Sequence, residues 1–288
     1  MNVFIIGVGL IGGSFGLSIK GLYKEAKVFG IDSNKEHIID ALSLNIIDQE
    51  GDYSELSLAD ILIIAVPVNV IIQLVPKILE GIRDDALVID VGSSKEAICA
   101  SLKEHTKRRN FLAAHPIAGT EFSGPRAAQK NLFQRKTNII CEIEMTSFKL
   151  QERALQLFFD LGMRIRYMNP QAHDRHIAYV SHLSHISSFM LGKTVIEKEK
   201  NERDIFDMAG SGFQSTVRLA KSSPTMWLPI FEQNHSNILV ALEEYISNLQ
   251  LFKEFMYKGD YTALHNSMAK CHQIKDILDG VYAPAVEQ

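Results

Sequence analysis

The feature that most constrains this chain is the run Gly7-Val8-Gly9-Leu10-Ile11-Gly12, which directly follows the uncharged apolar segment at its start. It fits G-x-G-x-x-G, a pattern that is only suggestive by itself; its setting, after a strand pattern and opening a helical one, makes it specific. Each glycine has a physical task. The first permits a tight turn, the second lets backbone approach a pyrophosphate, and the third lets helix and strand pack closely. The helix that follows presents free N–H groups and the positive end of its dipole to an anion. The chain is thereby expected to open with a dinucleotide-binding βαβ unit in which Gly7, Gly9, Leu10, Ile11 and Gly12 hold the cofactor. Asp32 ends the next strand pattern, 20 positions past Gly12. A carboxylate there accepts from the ribose hydroxyls and repels a 2′-phosphate, so NAD is favoured over NADP.

The rest of the first half agrees. Apolar, β-branched runs at 3–6, 27–31, 61–66, 87–91, 111–114, 138–141 and 165–168 read as strands. Helical patterns at 12–20, 35–44, 70–82, 95–106 and 148–161 lie among them. Nearly continuous apolar strands such as Ile61-Leu62-Ile63-Ile64-Ala65-Val66 suit a parallel sheet covered on both faces. After Asn169-Pro170 no strand pattern follows and long helical stretches take over. The expected architecture is α/β: a Rossmann-type doubly wound parallel sheet over 1–169, followed by an all-α domain over 170–288. Residues 177–192 contain no Lys, Arg, Asp or Glu. A helix without a charged face is expected to be buried on most sides, at the centre of a helical domain or in a dimer interface.

Net charge excludes some functions. At -4, spread along the chain, it offers no basic stripe for nucleic acid. Glycines interrupt the uncharged start and no Lys or Arg precedes it, which argues against a signal peptide or membrane span. Three cysteines without C-x-x-C spacing read as reduced core thiols, and the cytoplasm is the expected setting.

Three polar or turn-forming groups fall where strand patterns end: Val66-Pro67, Gly92-Ser93-Ser94-Lys95 and His115-Pro116. In an open parallel sheet that edge forms the ligand cleft, so Val66, Pro67 and Ser93 are candidate cofactor contacts. A dehydrogenase acting on an alcohol needs a base for the hydroxyl proton, and an imidazole serves near neutral pH. On position alone, His115 as that base and His115 as a structural turn cap stand equal.

The segments Asp90-Val91-Gly92-Ser93-Ser94-Lys95, His115-Pro116-Ile117-Ala118-Gly119-Thr120-Glu121, Ser181-His182-Leu183-Ser184-His185, Arg218-Leu219-Ala220-Lys221-Ser222 and Met226-Trp227 together resemble the prephenate dehydrogenase family. The resemblance spans both halves of the chain. It implies oxidative decarboxylation of prephenate to 4-hydroxyphenylpyruvate with NAD, in tyrosine biosynthesis, or the same reaction on arogenate. It further implies that His115 accepts the ring-hydroxyl proton, that Ser93 contacts that hydroxyl and the nicotinamide, and that Arg218 binds a substrate carboxylate. His185, Ser181, Thr120 and Glu121 would contact the substrate or gate its entry, and a homodimer would form through the helical domain. The chain departs from the family pattern at Ser184, Ser211 and Ser215, all on the substrate side.

Other readings stay open. Arg218 also suits a surface salt bridge, and His182 a buried hydrogen-bonded role. Trp227 is expected to pack near the cleft. His173, His176, His182 and His185 suggest a metal, yet the chemistry needs none and none is expected. A β-hydroxyacid dehydrogenase or a non-catalytic NAD-binding protein would share the plan. The sequence leaves no room for a regulatory βαββαβ module or a fused mutase, so any inhibition by tyrosine is expected to act at the active site itself.

Overall fold

The computed structural model describes residues 1–200, 202 and 204–282. Strand β1 (Asn2–Ile6) shows why the apolar runs pair into a sheet covered on both sides. Val3 and Ile5 enter one core, Phe4 and Ile6 the other, and all four are at most 1% exposed. Each such side chain contributes about 1.5–3 kcal/mol on burial, so the alternation fixes the strand against a one-residue slip. The further strands are β2 (Lys27–Ile31), β3 (Gln49–Glu50), β4 (Ile61–Ile64), β5 (Leu87–Asp90), β6 (Phe111–Pro116), β7 (Thr137–Cys141) and β8 (Arg164–Met168). They form one sheet in the order β3-β2-β1-β4-β5-β6-β7-β8.

Helices α1 (Leu10–Leu22), α2 (Lys35–Ser43) and α5 (Phe148–Asp160) supply the first core with Phe15, Ile38 and Phe158. Helices α3 (Val68–Gly81) and α4 (Glu96–Leu102) supply the second with Ile71, Val75 and Ile98. α2 begins where it does because the Asn34 side chain accepts from Glu36 N at 2.9 Å, a side-chain N-cap.

All seven expected strands form, and the doubly wound plan holds with one difference: β6 and β7 run antiparallel. A parallel return would need a crossover, usually a helix. Residues 117–136 contain only one short 3-10 turn, Pro125–Ala127, and fold over α1 and α2 instead. Arg126 pairs with Asp40 at 2.8 Å through both Nε and Nη2. Ser14 Oγ accepts from Gln129 N at 2.9 Å, and Ser18 Oγ donates to the Lys130 carbonyl at 2.5 Å. The segment thus returns to the edge it left.

Beyond β8 the described chain is helical. α6 (Pro170–Ile177) continues through a π turn, Ala178–His182, into α7 (Leu183–Glu199). The uncharged stretch 177–192 lies on this path, and within the single chain it is not buried on most sides. Val180 is 74% exposed and Met190 50%, and within α7 only Ser188 is buried. The physical reason is that α7 is covered on one narrow face, where Ser188 Oγ donates to the Thr216 carbonyl and accepts from Ala220 N. α8 (Ser211–Thr216), a 3-10 turn at Arg218–Lys221 and α9 (Pro224–Gln233) follow, and α9 places Trp227 and Ile230 in the second core.

The chain divides into two compact units, Met1–Ile238 and Leu239–Gln288. The second contains most of α10 (His235–Lys258), with α11 (Tyr261–Lys270) and α12 (Gln273–Tyr282). Asp260 caps α11 by accepting from Ala263 N at 2.9 Å. Leu249, Phe252, Met256, Ile274 and Ile277 of this unit are exposed. Among the described residues no helix is long and apolar enough to cross a membrane. Cys99 and Cys141 are buried, but Cys271 is exposed, against the expectation that all three lie in the core. It ends α11 next to α12, where nearly every neighbouring position faces out.

Candidate active site

The glycine turn has the form its sequence requires. Gly7 adopts φ +90°, and a Cβ there would stand 2.4 Å from the Ala65 carbonyl oxygen. A Cβ on Gly12 would stand 1.9 Å from the Gly7 carbonyl oxygen, so α1 rests directly on the turn. Gly9 is different: nothing lies within 4 Å of the position its Cβ would take. It is the N-cap of α1 and makes no side-chain cap, leaving the first-turn N–H groups, Leu10 and Ile11 among them, facing open space. Asp32 borders this space. Its Oδ2 accepts from Val8 N at 3.0 Å and stands 3.4 Å from His37 Nδ1, while Oδ1 accepts from Asn34 N at 2.9 Å. Val66 and Pro67 lie at the same edge, half-buried and exposed respectively, and Ser93 is half-buried between β5 and α4.

His115 stands near the end of β6 and is 9% exposed. A chain of contacts holds it. Its Nδ1 lies 2.8 Å from His173 Nε2, and His173 Nδ1 lies 2.6 Å from Asp174 Oδ1. Asp174 also accepts from Lys95 N at 2.8 Å and Glu96 N at 2.9 Å. The Lys95 side chain passes under β6, donating to the Ala114 carbonyl at 2.9 Å and pairing with Asp90, both groups fully buried. Burial pushes the Asp90 carboxyl up, and Lys95 pulls it back. Gly92 N donates to Asp90 Oδ1 at 2.7 Å, completing the turn that carries Ser93. Burial above all, with His173 and Lys95 adding to it, holds the His115 imidazole well below the usual histidine range. The ring is therefore neutral at physiological pH, as a proton acceptor must be.

His185 stacks on Trp227 with ring centroids 3.6 Å apart, and its Nδ1 donates to the Ser181 carbonyl at 2.9 Å. His182 is fully buried and accepts at Nδ1 from Asn234 Nδ2 at 3.1 Å. Asn234 Nδ2 also donates to the Asp174 carbonyl at 2.6 Å. Arg218 is half-exposed and pairs with Glu121 at 2.7 Å. A hydrogen bond from its own backbone, then one from Arg218, holds the Glu121 carboxyl below the usual range. Thr120 stands beside Glu121, its Oγ1 accepting from Phe122 N at 3.3 Å.

Most of the expected site residues thus fall into four contact groups: the glycine turn with Asp32, the His115 chain, the pair Glu121–Arg218 and the pair Ser181–His185. The salt-bridge reading of Arg218 and the buried reading of His182 both describe what is seen. Sequence reasoning missed Asp174, Asn234 and the part His173 plays. One signal pointed to His173 and Asp174: α6 buries Pro170, His173, Asp174 and Ile177 on one face, placing two titratable groups where aliphatic ones belong. Among the described residues no three His, Cys, Asp or Glu side chains converge as metal ligands.

Comparison with known proteins agrees with this geometry. Residues 15–167 match the family described as prephenate dehydrogenase, nucleotide-binding domain, and residues 169–270 that described as prephenate dehydrogenase, dimerization domain. The chain is similar to a prephenate dehydrogenase from A. aeolicus, solved with hydroxyphenyl propionate and NAD+. The TM-score is 0.88 at 32% identity, covering 97% of this chain and 98% of that one. It is also similar to prephenate dehydrogenase of Bacillus subtilis, 29% identical over 284 residues, covering 97% of this chain and 76% of the relative. Cyclohexadienyl dehydrogenase of Zymomonas mobilis is 28% identical over 269 residues, covering 92% of each.

Proposed function

The chain belongs to the prephenate dehydrogenase family, and from that premise we propose that it oxidatively decarboxylates prephenate to 4-hydroxyphenylpyruvate with NAD as oxidant. The observation that carries this reading is His115: a buried, neutral imidazole near the end of a sheet strand, in a fold whose glycine turn leaves an open anion cradle. Bound in that cradle, NAD+ is the hydride acceptor of the reaction. The N–H groups of the α1 first turn suit its pyrophosphate, with Gly9 giving the room, and Asp32 suits the adenosine ribose and disfavours a 2′-phosphate. Val66, Pro67 and Ser93 would complete the contacts.

His115 takes the ring-hydroxyl proton, and Ser93 orients that hydroxyl. Arg218 binds the side-chain carboxylate, for which a guanidinium is the fitting donor. Glu121 already holds Arg218, so the substrate carboxylate exchanges for one that is tethered. Ser181, His185 and Thr120 line the substrate's place. Arg218→Ala is expected to raise KM for prephenate about 10- to 100-fold, the worth of a charge-assisted hydrogen bond, with kcat little changed. Steady-state kinetics checks this, and a fall in kcat at constant KM would reject the role.

The decisive assay is prephenate-dependent NADH formation, repeated with arogenate and with NADP+. Faster turnover of arogenate would reassign the substrate, and no turnover of either would end the proposal. The exposed apolar residues of α7 and of the second unit support a homodimer formed through a helical domain over 170–288. Light scattering at micromolar concentration is expected to give twice the 32.3 kDa chain mass, and a monomer there would refute it. Three free cysteines suit a cytoplasmic enzyme.

A further inference from the structure

We propose that Asp174 is a positioning residue that acts through His173 to fix His115 in the tautomer whose lone pair lies on Nε2. The inference rests on the reading above, in which His115 takes the substrate's proton. It follows from the direction each hydrogen bond must have. Asp174 accepts two backbone N–H groups, Lys95 N at 2.8 Å and Glu96 N at 2.9 Å. With each of its two oxygens accepting a backbone N–H, this carboxylate serves as an acceptor. The 2.6 Å contact with His173 Nδ1 therefore requires the proton on that nitrogen. Burial foremost keeps the His173 ring below the usual histidine range, so it is neutral and its Nε2 carries a lone pair. Across 2.8 Å, His115 Nδ1 must then donate. A neutral imidazole protonated at Nδ1 has its free lone pair on Nε2, which is what a base needs.

The same chain stabilises the product of the proton transfer. As His115 Nε2 gains the substrate's proton the ring becomes cationic, and the Asp174 carboxylate lies one ring away. The arrangement follows the logic by which a buried carboxylate orients the base of a hydrolase triad, with a second imidazole interposed. Asp174 is 2% exposed and His173 1%, so solvent does not screen the charge. The other charged and titratable groups around the pair are the Lys95–Asp90 ion pair from α4 and β5, and His182 from the π turn.

The test is a two-by-two set: wild type, Asp174→Asn, His173→Gln and the double variant. A glutamine carbonyl can still accept from His115 Nδ1, but its acceptor does not depend on Asp174. Asp174→Asn alone is expected to lower kcat about 100-fold or more, leaving KM for substrate and NAD+ within a few-fold. The acid limb of kcat/KM is expected to move to lower pH, because loss of a negative charge makes the imidazole pair less basic. In the His173→Gln background the same change is expected to cost less than about threefold, since it no longer has a relay. Equal losses in both backgrounds, or an unmoved acid limb, would show a merely structural role and overturn the proposal. Should the variants not fold, 15N imidazole spectra of the wild type, with His115 assigned by its loss in His115→Asn, decide it. An Nδ1–H tautomer is expected, and an Nε2–H tautomer overturns it. This readout needs no turnover: a wild type inert to prephenate and arogenate would sink the proposed function, while the tautomer stands or falls separately.

Discussion

Replacement of His115 by Asn is expected to lower kcat about 1,000-fold or more, with KM for substrate and for NAD+ within a few-fold of wild type. The substitution keeps a polar, hydrogen-bonding side chain where the ring meets His173, so the fold should survive. On the proposed reading, what is lost is the atom that takes the hydroxyl proton as the neighbouring carbon is oxidised. General bases typically contribute about 100- to 10,000-fold. His115 is held by His173, and the strand carrying it is held at Ala114 by Lys95 Nζ. Single-turnover and steady-state kinetics check the result. An unchanged kcat would remove His115 from the chemistry, and a rise in KM alone would make it a binding residue.

The second large effect concerns stability and pH. Four histidines, His115, His173, His182 and His185, are held below the usual range, in each case chiefly by burial. His182 is lowered to about 4. The sign follows from proton counts. A group whose folded pKa is depressed binds fewer protons in the folded chain than in the unfolded one at pH values between the two pKa values. Its stabilisation is complete above the unfolded value of about 6.5 and is lost as pH falls from there toward the folded value. For His182 alone the loss by pH 4 is on the order of 3 kcal/mol, and about 2 kcal/mol of it has gone by pH 5. The other three add to this. Urea unfolding at pH 7 and pH 5 is therefore expected to differ by several kcal/mol, the protein being weaker at pH 5. Equal midpoints would mean that these rings accept protons freely in the folded state.

Much of the first half was legible in the sequence because a strand covered on both faces must be apolar at nearly every position. β3 was not, since Gln49 and Glu50 are both exposed and pair at the sheet edge by backbone alone. The reversed polarity of β7 was not either: an apolar run marks a strand but carries no arrow. The uncharged 177–192 helix shows a second limit. Lack of charge says that a surface is to be covered, and says nothing of what covers it. In the candidate site, the placing of His115 and Ser93 at the ends of strands was legible, because both sit where strand patterns end. Asp174 was not, because its meaning lies in contacts 78 and 79 positions back along the chain, at Glu96 N and Lys95 N. Hydrogen-bond direction is a property of distances, and a residue string has none.

The reversal between β6 and β7 has one more consequence. Because Arg126, Gln129 and Lys130 staple the span from Ile117 to Lys136 to α1 and α2 and Glu121 is paired with Arg218, much of this span is arranged when the chain folds. Its conformational entropy is settled then, not when ligands arrive. On the proposed reading the substrate meets a wall whose order is largely set by folding, and the binding energy of its carboxylate is free for use nearer the bond that breaks.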